Sequence, residues 1–137
     1  MTRILIAIAL VVGSVALAAI IQRRRPDAPT QGRGHVPDQL DRADFDRPDA
    51  PLAVIVFTSA TCATCSAVWR RALALVDSRI VAQEVEAGAD AALHERYEID
   101  AVPLAVVADA SGVVRASFLG PISDHELEAV VSRLAGS

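Results

Sequence analysis

The two cysteines of the chain, Cys62 and Cys65, stand two residues apart in the stretch TSATCATC (residues 58–65). Cysteine pairs with this spacing occur as half of a metal site, as a structural disulfide or as a redox-active dithiol. A dithiol works by attack of one thiolate on a disulfide, after which the second thiol resolves the mixed disulfide. The rest of the sequence helps to decide among these three chemistries.

Metal binding would need ligands that the sequence does not group. A structural zinc ion takes four ligands, and beyond the two cysteines the chain offers His35, His94 and His125. No two of these have the spacing of an H-x₃₋₅-H pair. His35 falls in a predicted linker, and His94 and His125 are expected on the polar faces of two different helices. The ligand count disfavours a metal site, so we expect neither metal nor organic cofactor.

A purely structural disulfide is also disfavoured, because the stabilisation from closing a loop grows with loop length and this loop is very short. The position of the two cysteines in the chain supports the redox chemistry. The apolar, β-branched run LAVIVFT (residues 52–58) predicts a strand buried on both faces, and a helix is predicted to follow with the two cysteines at i and i+3 in its first turn. Free N–H groups and the dipole at a helix start stabilise a thiolate. We expect Cys62 as the exposed nucleophile and Cys65 as the resolving thiol.

The elements around the cysteines follow from periodicity. The first helix carries a stripe at Val68, Ala72 and Val76. Further strands are predicted over residues 79–85 and 102–109, with a short helix over residues 89–97 between them. Turn residues at 109–112 and alternation over 113–118 predict a hairpin, and SDHE (residues 123–126) is a capping box that opens a last helix. The order β-α-β-α-β-β-α predicts the α/β class, with a central mixed sheet flanked by helices.

The front of the chain has a different character. Residues 4–21 contain no charge and would form a helix of about 27 Å, close to the thickness of a bilayer core. We predict a transmembrane anchor over residues 1–22, a Pro-, Arg- and Asp-rich flexible linker over 23–48 and a domain over 49–137. A cleavable signal peptide is the alternative for the first segment. Because Arg23, Arg24 and Arg25 follow the apolar run, the positive-inside rule places the domain in the cytoplasm by a margin of one charge.

From Leu52 to about Ala135 the sequence resembles the thioredoxin family. The residues that carry the resemblance are VFTSATCATC (56–65) and YEIDAVPLAVVADASGVVRASFLGPISDHEL (97–127). The resemblance implies a thioredoxin-like fold and a cis peptide bond before Pro103, which would pack against the active-site disulfide. It also implies that Val102 and Pro103 contact the substrate, and that Gly120 lies near the site.

The sequence departs from the family pattern in three respects. Thr61 replaces a tryptophan before the first cysteine, Val56 replaces a buried acid that assists proton transfer, and Ala63-Thr64 replaces Gly-Pro between the cysteines. Because the dipeptide between the cysteines tunes thiolate stability, the redox potential of ordinary thioredoxins does not carry over to this chain.

Taken together, the sequence predicts a single-pass, membrane-tethered thiol–disulfide oxidoreductase with Cys62 and Cys65 as catalytic residues. Its expected partners are protein thiols and disulfides and a further, unidentified redox protein. The net charge of −4 and the absence of a basic stripe disfavour nucleic acid. Two alternatives are a thioredoxin-like binding module with little catalysis and a thiol chaperone for the assembly of metal or heme proteins.

Overall fold

The computed structural model describes residues 1, 4, 6, 13, 14 and 34–137. The chain divides into two units, Met1–Gly32 and Arg33–Ser137, and all the strands and helices named below belong to the second unit. Among the described residues, no helix is long and apolar enough to cross a membrane. The predicted anchor and the first part of the predicted linker (residues 23–33) lie outside the described residues, apart from the five isolated positions.

Four strands form one mixed sheet in the order β2-β1-β3-β4. Their bounds are Leu52–Thr58 (β1), Ile80–Glu86 (β2), Leu104–Asp109 (β3) and Val114–Leu119 (β4). β1 is parallel to β2 and antiparallel to β3, and β3 is antiparallel to β4. The predicted α/β class with a mixed sheet is confirmed; its parallel part consists of β1 and β2.

All seven side chains of β1 are buried, as the continuous apolar run predicts for a strand covered on both faces. On one face Ile55 and Phe57 pack into a cluster with Leu40 and Tyr97. On the other face Val54, Val56 and their neighbours pack into a second cluster. The strand that leads into the cysteine loop is therefore held from both sides.

Three helices cover the sheet: Cys65–Leu73 (α1), Ala91–Arg96 (α2) and Asp124–Ala135 (α3). Buried residues of α1 and α3 pack against the Val54 and Val56 face; they are Val68, Ala72, Leu127 and Val131. Leu93 of α2 and the adjacent Tyr97 pack against the opposite face. Helices on both faces complete a three-layer arrangement.

The first helix is shorter than its periodicity predicts. Val76, expected on the buried stripe, lies beyond the end of α1 and is 43% exposed. The chain turns away because the Asp77 carboxylate accepts hydrogen bonds from the backbone N–H groups of Arg79 and Ile80. This aspartate turn starts β2 and competes with continuation of the helix.

Two local signals in the sequence form as predicted. The Ser123 hydroxyl accepts from the Glu126 N–H while the Glu126 carboxylate accepts from the Ser123 N–H, which completes the capping box of α3. In the hairpin turn Gly112 has φ +83°, and its N–H donates to the Asp109 carbonyl at 2.9 Å. A side chain at Gly112 would collide with the Leu40 carbonyl, so glycine is needed there for space as well as conformation.

The second half of the predicted linker, residues 34–48, packs against the domain, so the predicted boundary at residue 48 lies inside the packed unit. Leu40 is 1% exposed and Phe45 is 5% exposed, with its ring 5.8 Å from that of Tyr97. Arg42, in a 3-10 helix over Arg42–Asp44, is buried and donates to the carbonyls of Arg47, Ala50 and Asp109. The burial is compatible with a charged, proline-rich composition because backbone carbonyls accept hydrogen bonds from both terminal nitrogens of the guanidinium, whereas the buried Nε has no partner.

Candidate functional site

Cys62 and Cys65 form a disulfide with their Cα atoms 5.5 Å apart. They lie where β1 ends and α1 begins, with residues 59–64 as the connecting loop. Cys65 is 2% exposed, whereas Cys62 is only partly buried. The two sulfurs are therefore inequivalent, and Cys62 is the one open to attack from outside.

The local geometry differs from the predicted placement of both cysteines in the first helical turn. α1 begins at Cys65, so Cys62 stands in the loop, where its N–H donates to the Ser59 carbonyl at 3.1 Å. Thr64 occupies the N-cap position without a side-chain capping bond, and its hydroxyl lies 3.9 Å from the Cys62 sulfur. The hydroxyl is thus a polar neighbour of the exposed sulfur.

The peptide bond between Val102 and Pro103 is cis, as the resemblance implies. Pro103 is buried and Val102 is half-buried. Because Phe57 pairs with Leu104, the residues just before β3 lie at the same end of the sheet as the cysteine loop after β1. The structure therefore brings Val102 and Pro103 to the end of the sheet that carries the disulfide.

Gly120 lies at the same end of the sheet as Pro103. Its N–H donates to the Pro103 carbonyl at 2.8 Å, and its φ is +90°. This bond links the segment after β4 to the cis-proline loop. The left-handed conformation explains the preference for glycine at this position.

Glu86, which the sequence reasoning did not single out, ties the cysteine loop to the loop after β2. Its carboxylate accepts backbone hydrogen bonds from Ala60 at 3.0 Å and from Gly88 and Ala89 at 2.9 Å each. The bonds from Gly88, Ala89 and Ala60 lower the pKa of Glu86. An acidic residue at a strand end, followed by a small flexible stretch, is the only sequence signal for this role.

Val56 stands where the resemblance implies a buried acid. Its side chain is completely buried among apolar side chains. Its register partner on β2 is Glu84. The Glu84 carboxylate accepts a hydrogen bond of 2.8 Å from the hydroxyl of Thr58, which is 1% exposed. A carboxylate thus lies one strand away from the position where the sequence lacks one.

The His94 ring is half-buried against the sheet, contrary to its expected place on a polar face. Its ring meets Phe57 edge-on at 5.4 Å, and Nε2 lies 2.9 Å from the Val85 carbonyl. His35 and His125 are exposed. In the part of the chain that the structure describes, no three His, Cys, Asp or Glu side chains are grouped to hold a metal ion.

Similarity to known proteins is found at the level of structure. No protein-family model matches the chain, and no curated protein matches its sequence. Among solved structures, the germline-specific thioredoxin Deadhead of Drosophila melanogaster matches with a TM-score of 0.55 and 24% identity, covering 64% of this chain and 84% of that one. Reduced Schistosoma mansoni thioredoxin matches with a TM-score of 0.50 and 18% identity, covering 63% and 81%.

A malarial protein matches with a TM-score of 0.54 and 15% identity, covering 61% of this chain and 96% of that chain. At these identities the likeness concerns the fold, since similar folds host different functions. The resemblance to thioredoxins is therefore confirmed at the level of structure: the chain has the thioredoxin fold, with its two cysteines joined at the start of α1.

Proposed function

We propose that the chain is a thiol–disulfide oxidoreductase that exchanges disulfides with protein substrates through Cys62 and Cys65, tethered to the membrane by residues 1–22. The observation that carries the proposal is the disulfide itself, with one partly exposed and one buried sulfur at the start of a helix in a thioredoxin fold. Cys62 and Cys65 are the catalytic residues. Val102 and Pro103, at the same edge of the sheet, contact the substrate.

In the oxidising direction a substrate thiolate attacks the Cys62 sulfur and breaks the Cys62–Cys65 bond, with Cys65 leaving as a thiolate that takes up a proton. The substrate's second thiolate then displaces Cys62 and leaves with a disulfide. In the reducing direction the Cys62 thiolate attacks a substrate disulfide, and Cys65 resolves the mixed disulfide. A second redox protein returns the cysteine pair to its starting state, and no metal or organic cofactor takes part.

The test uses the full-length chain in an insulin-reduction assay with dithiothreitol, together with trapping of partners. We expect turnover above the dithiothreitol background. Cys65→Ser should accumulate mixed disulfides through Cys62, whereas the matched Cys62→Ser variant should accumulate few. Absence of turnover together with absence of trapping by Cys65→Ser would contradict the proposal.

The membrane tether is supported by the uncharged residues 4–21. We expect the chain to remain in the membrane fraction after alkaline extraction, and a variant lacking residues 1–22 to be released. Labelling of reduced Cys62 by a membrane-impermeant thiol reagent in intact cells then assigns the side of the domain. Release of the complete chain by alkaline extraction would contradict the tether.

A second candidate is a binding module that uses the thioredoxin fold with little catalysis. The observation in its favour is Val56, which is apolar and completely buried where the resemblance implies an acid. For such a module we expect insulin turnover at background level. A Val56→Asp variant that markedly accelerates exchange would indicate that proton transfer limits the natural protein.

A further inference from the structure

The resolving step places a chemical demand on the surroundings of Cys65, and the inference drawn from it rests on the proposed function. Cys65 is 2% exposed, and burial in apolar surroundings disfavours the thiolate that must attack the mixed disulfide. The thiol proton therefore needs an acceptor. Val56, which lies in the adjacent core, offers none.

The geometry of α1 shows where such an acceptor has to lie. Cys65, Val68 and Ala72 follow at i, i+3 and i+7, so their side chains share one face of the helix. Val68 and Ala72 pack against the sheet in the cluster that contains Val56. Cys65 accordingly lies above the same face of the sheet, toward the end where β1 and β2 finish.

Glu84 lies on that face. Register partners on neighbouring strands point to the same side of a sheet, and Glu84 is the partner of Val56. Its carboxylate reaches the carboxyl end of β1, where it accepts the hydrogen bond of 2.8 Å from Thr58. Since Thr58 is almost wholly buried, this bond holds a partly buried carboxylate at the end of β1 from which the chain leads to α1.

The other two carboxylates on this face of the described strands are less suited. Both oxygens of Glu86 accept backbone hydrogen bonds, which stabilise the charged form and oppose uptake of a proton. Asp109 pairs with Leu52 and so lies at the opposite end of the sheet from the disulfide. Glu84 keeps an oxygen for which the structure shows no such bond.

We propose that Glu84 is the proton acceptor for Cys65, in a position one strand away from Val56. In the resolving step Glu84 takes the Cys65 proton directly or through a water molecule. The Cys65 sulfur then bonds to Cys62 while the Cys62–substrate bond breaks, and the departing substrate thiolate receives the proton. In the reverse direction Glu84 returns a proton to the Cys65 thiolate released by substrate attack.

Other charged groups lie on the elements around Glu84. β1 brings none, and α1 brings two arginines, of which Arg71 pairs with Asp124 on α3 and Arg70 is exposed. The Glu86 N–H donates to Asp90, and His94 lies on the opposite face of β2. Single substitutions at Glu84 are therefore compared with a variant that removes one negative charge elsewhere.

The test separates attack from resolution in the full-length chain. Reduced protein, freed of reductant, is mixed with excess DTNB in a stopped-flow instrument. The first release of thionitrobenzoate reports attack by Cys62 and depends on DTNB concentration; the second reports displacement by Cys65 and does not. A Cys65→Ser variant, which should show only the first release, assigns the phases.

We expect Glu84→Gln to slow the second phase by about tenfold or more near neutral pH, since a positioned general base contributes at least about that much. The first phase should change by less than about twofold. The difference should shrink as the pH rises, because solvent base then removes the proton. The matched Glu128→Gln variant, which removes a charge from the exposed side of α3, should leave both phases unchanged.

An unchanged second phase in Glu84→Gln over the whole pH range, or equal slowing in the Glu128 control, overturns the role of Glu84. If Glu84→Gln does not fold, Thr58→Val is the deciding variant, because it removes only the hydroxyl that orients the Glu84 carboxylate. Selective slowing of the second phase in Thr58→Val supports the role of Glu84. An unchanged second phase overturns it. Failure of the wild-type chain to release any thionitrobenzoate would instead contradict the proposed function.

Discussion

Replacing Leu40 by alanine tests whether residues 34–48 belong to the folded domain. Leu40 is 1% exposed and packs in the cluster that contains Phe45, Ile55 and Phe57. Truncation of a fully buried leucine removes apolar burial and leaves a cavity, which costs about 3 kcal/mol. That is a large share of the roughly 5–15 kcal/mol that stabilises an ordinary domain.

We expect Leu40→Ala to lower the midpoint of thermal unfolding by about 10 °C or more, and to reduce the free energy of unfolding in urea by about 3 kcal/mol. Fluorescence of the single tryptophan, Trp69, and far-UV circular dichroism follow the transition with the disulfide kept oxidised. Leu73→Ala is the matched control, because Leu73 is 51% exposed and its loss should cost less than about 0.5 kcal/mol.

Equal stability of the two variants would refute the reasoning, since it would mean that the segment before β1 contributes no core. An unchanged dependence of the unfolding free energy on urea concentration is part of the expected result. It would show that both variants expose the same surface on unfolding.

Two further predictions concern carboxylates. Hydrogen bonds, first from the Ser111 hydroxyl and then from Arg115 and the Val113 N–H, lower the pKa of Asp109 from 3.8 to about 2. Because the pKa is lower in the folded state, the stabilisation is complete above about pH 4 and is lost as the pH falls toward 2. Asp109→Asn should abolish this part of the pH dependence of urea unfolding. The control Asp46→Asn, at an exposed position, should leave it in place. Glu86→Ala should accelerate hydrogen exchange at the amides of Ala60, Gly88 and Ala89. Glu95→Ala is the control, and unchanged protection of those three amides would contradict the loop-tying role.

Features encoded by neighbouring residues were predictable from the sequence. The bounds of β1 match the apolar run LAVIVFT, because seven consecutive buried positions need no distant information. The capping box at Ser123 and the turn ending at Gly112 are likewise formed by residues within a few positions of one another. The cis bond before Pro103 was implied by the family resemblance and by nothing in its immediate neighbours.

Features that depend on distant partners were not predictable. Arg42 is buried because the Asp109 carbonyl, 67 residues away, accepts from its guanidinium. His94 leaves the predicted polar face because β1 presents Phe57 to its ring. Glu84 lies beside Val56 because the register of β1 and β2 pairs the two residues. In each case a partner from another element determines the position of a polar side chain.

The contact between Gly34 and the edge of the sheet has a consequence for how the protein meets its targets. The His35 N–H donates to Asp100 at 2.8 Å, and a Cβ atom at Gly34 would come within 2.8 Å of the Ala101 side chain. Gly34 and His35 thus lie against Asp100 and Ala101, the two residues directly before Val102 and Pro103. Under the proposed function, a protein substrate that contacts Val102 and Pro103 would therefore also lie beside Gly34 and His35.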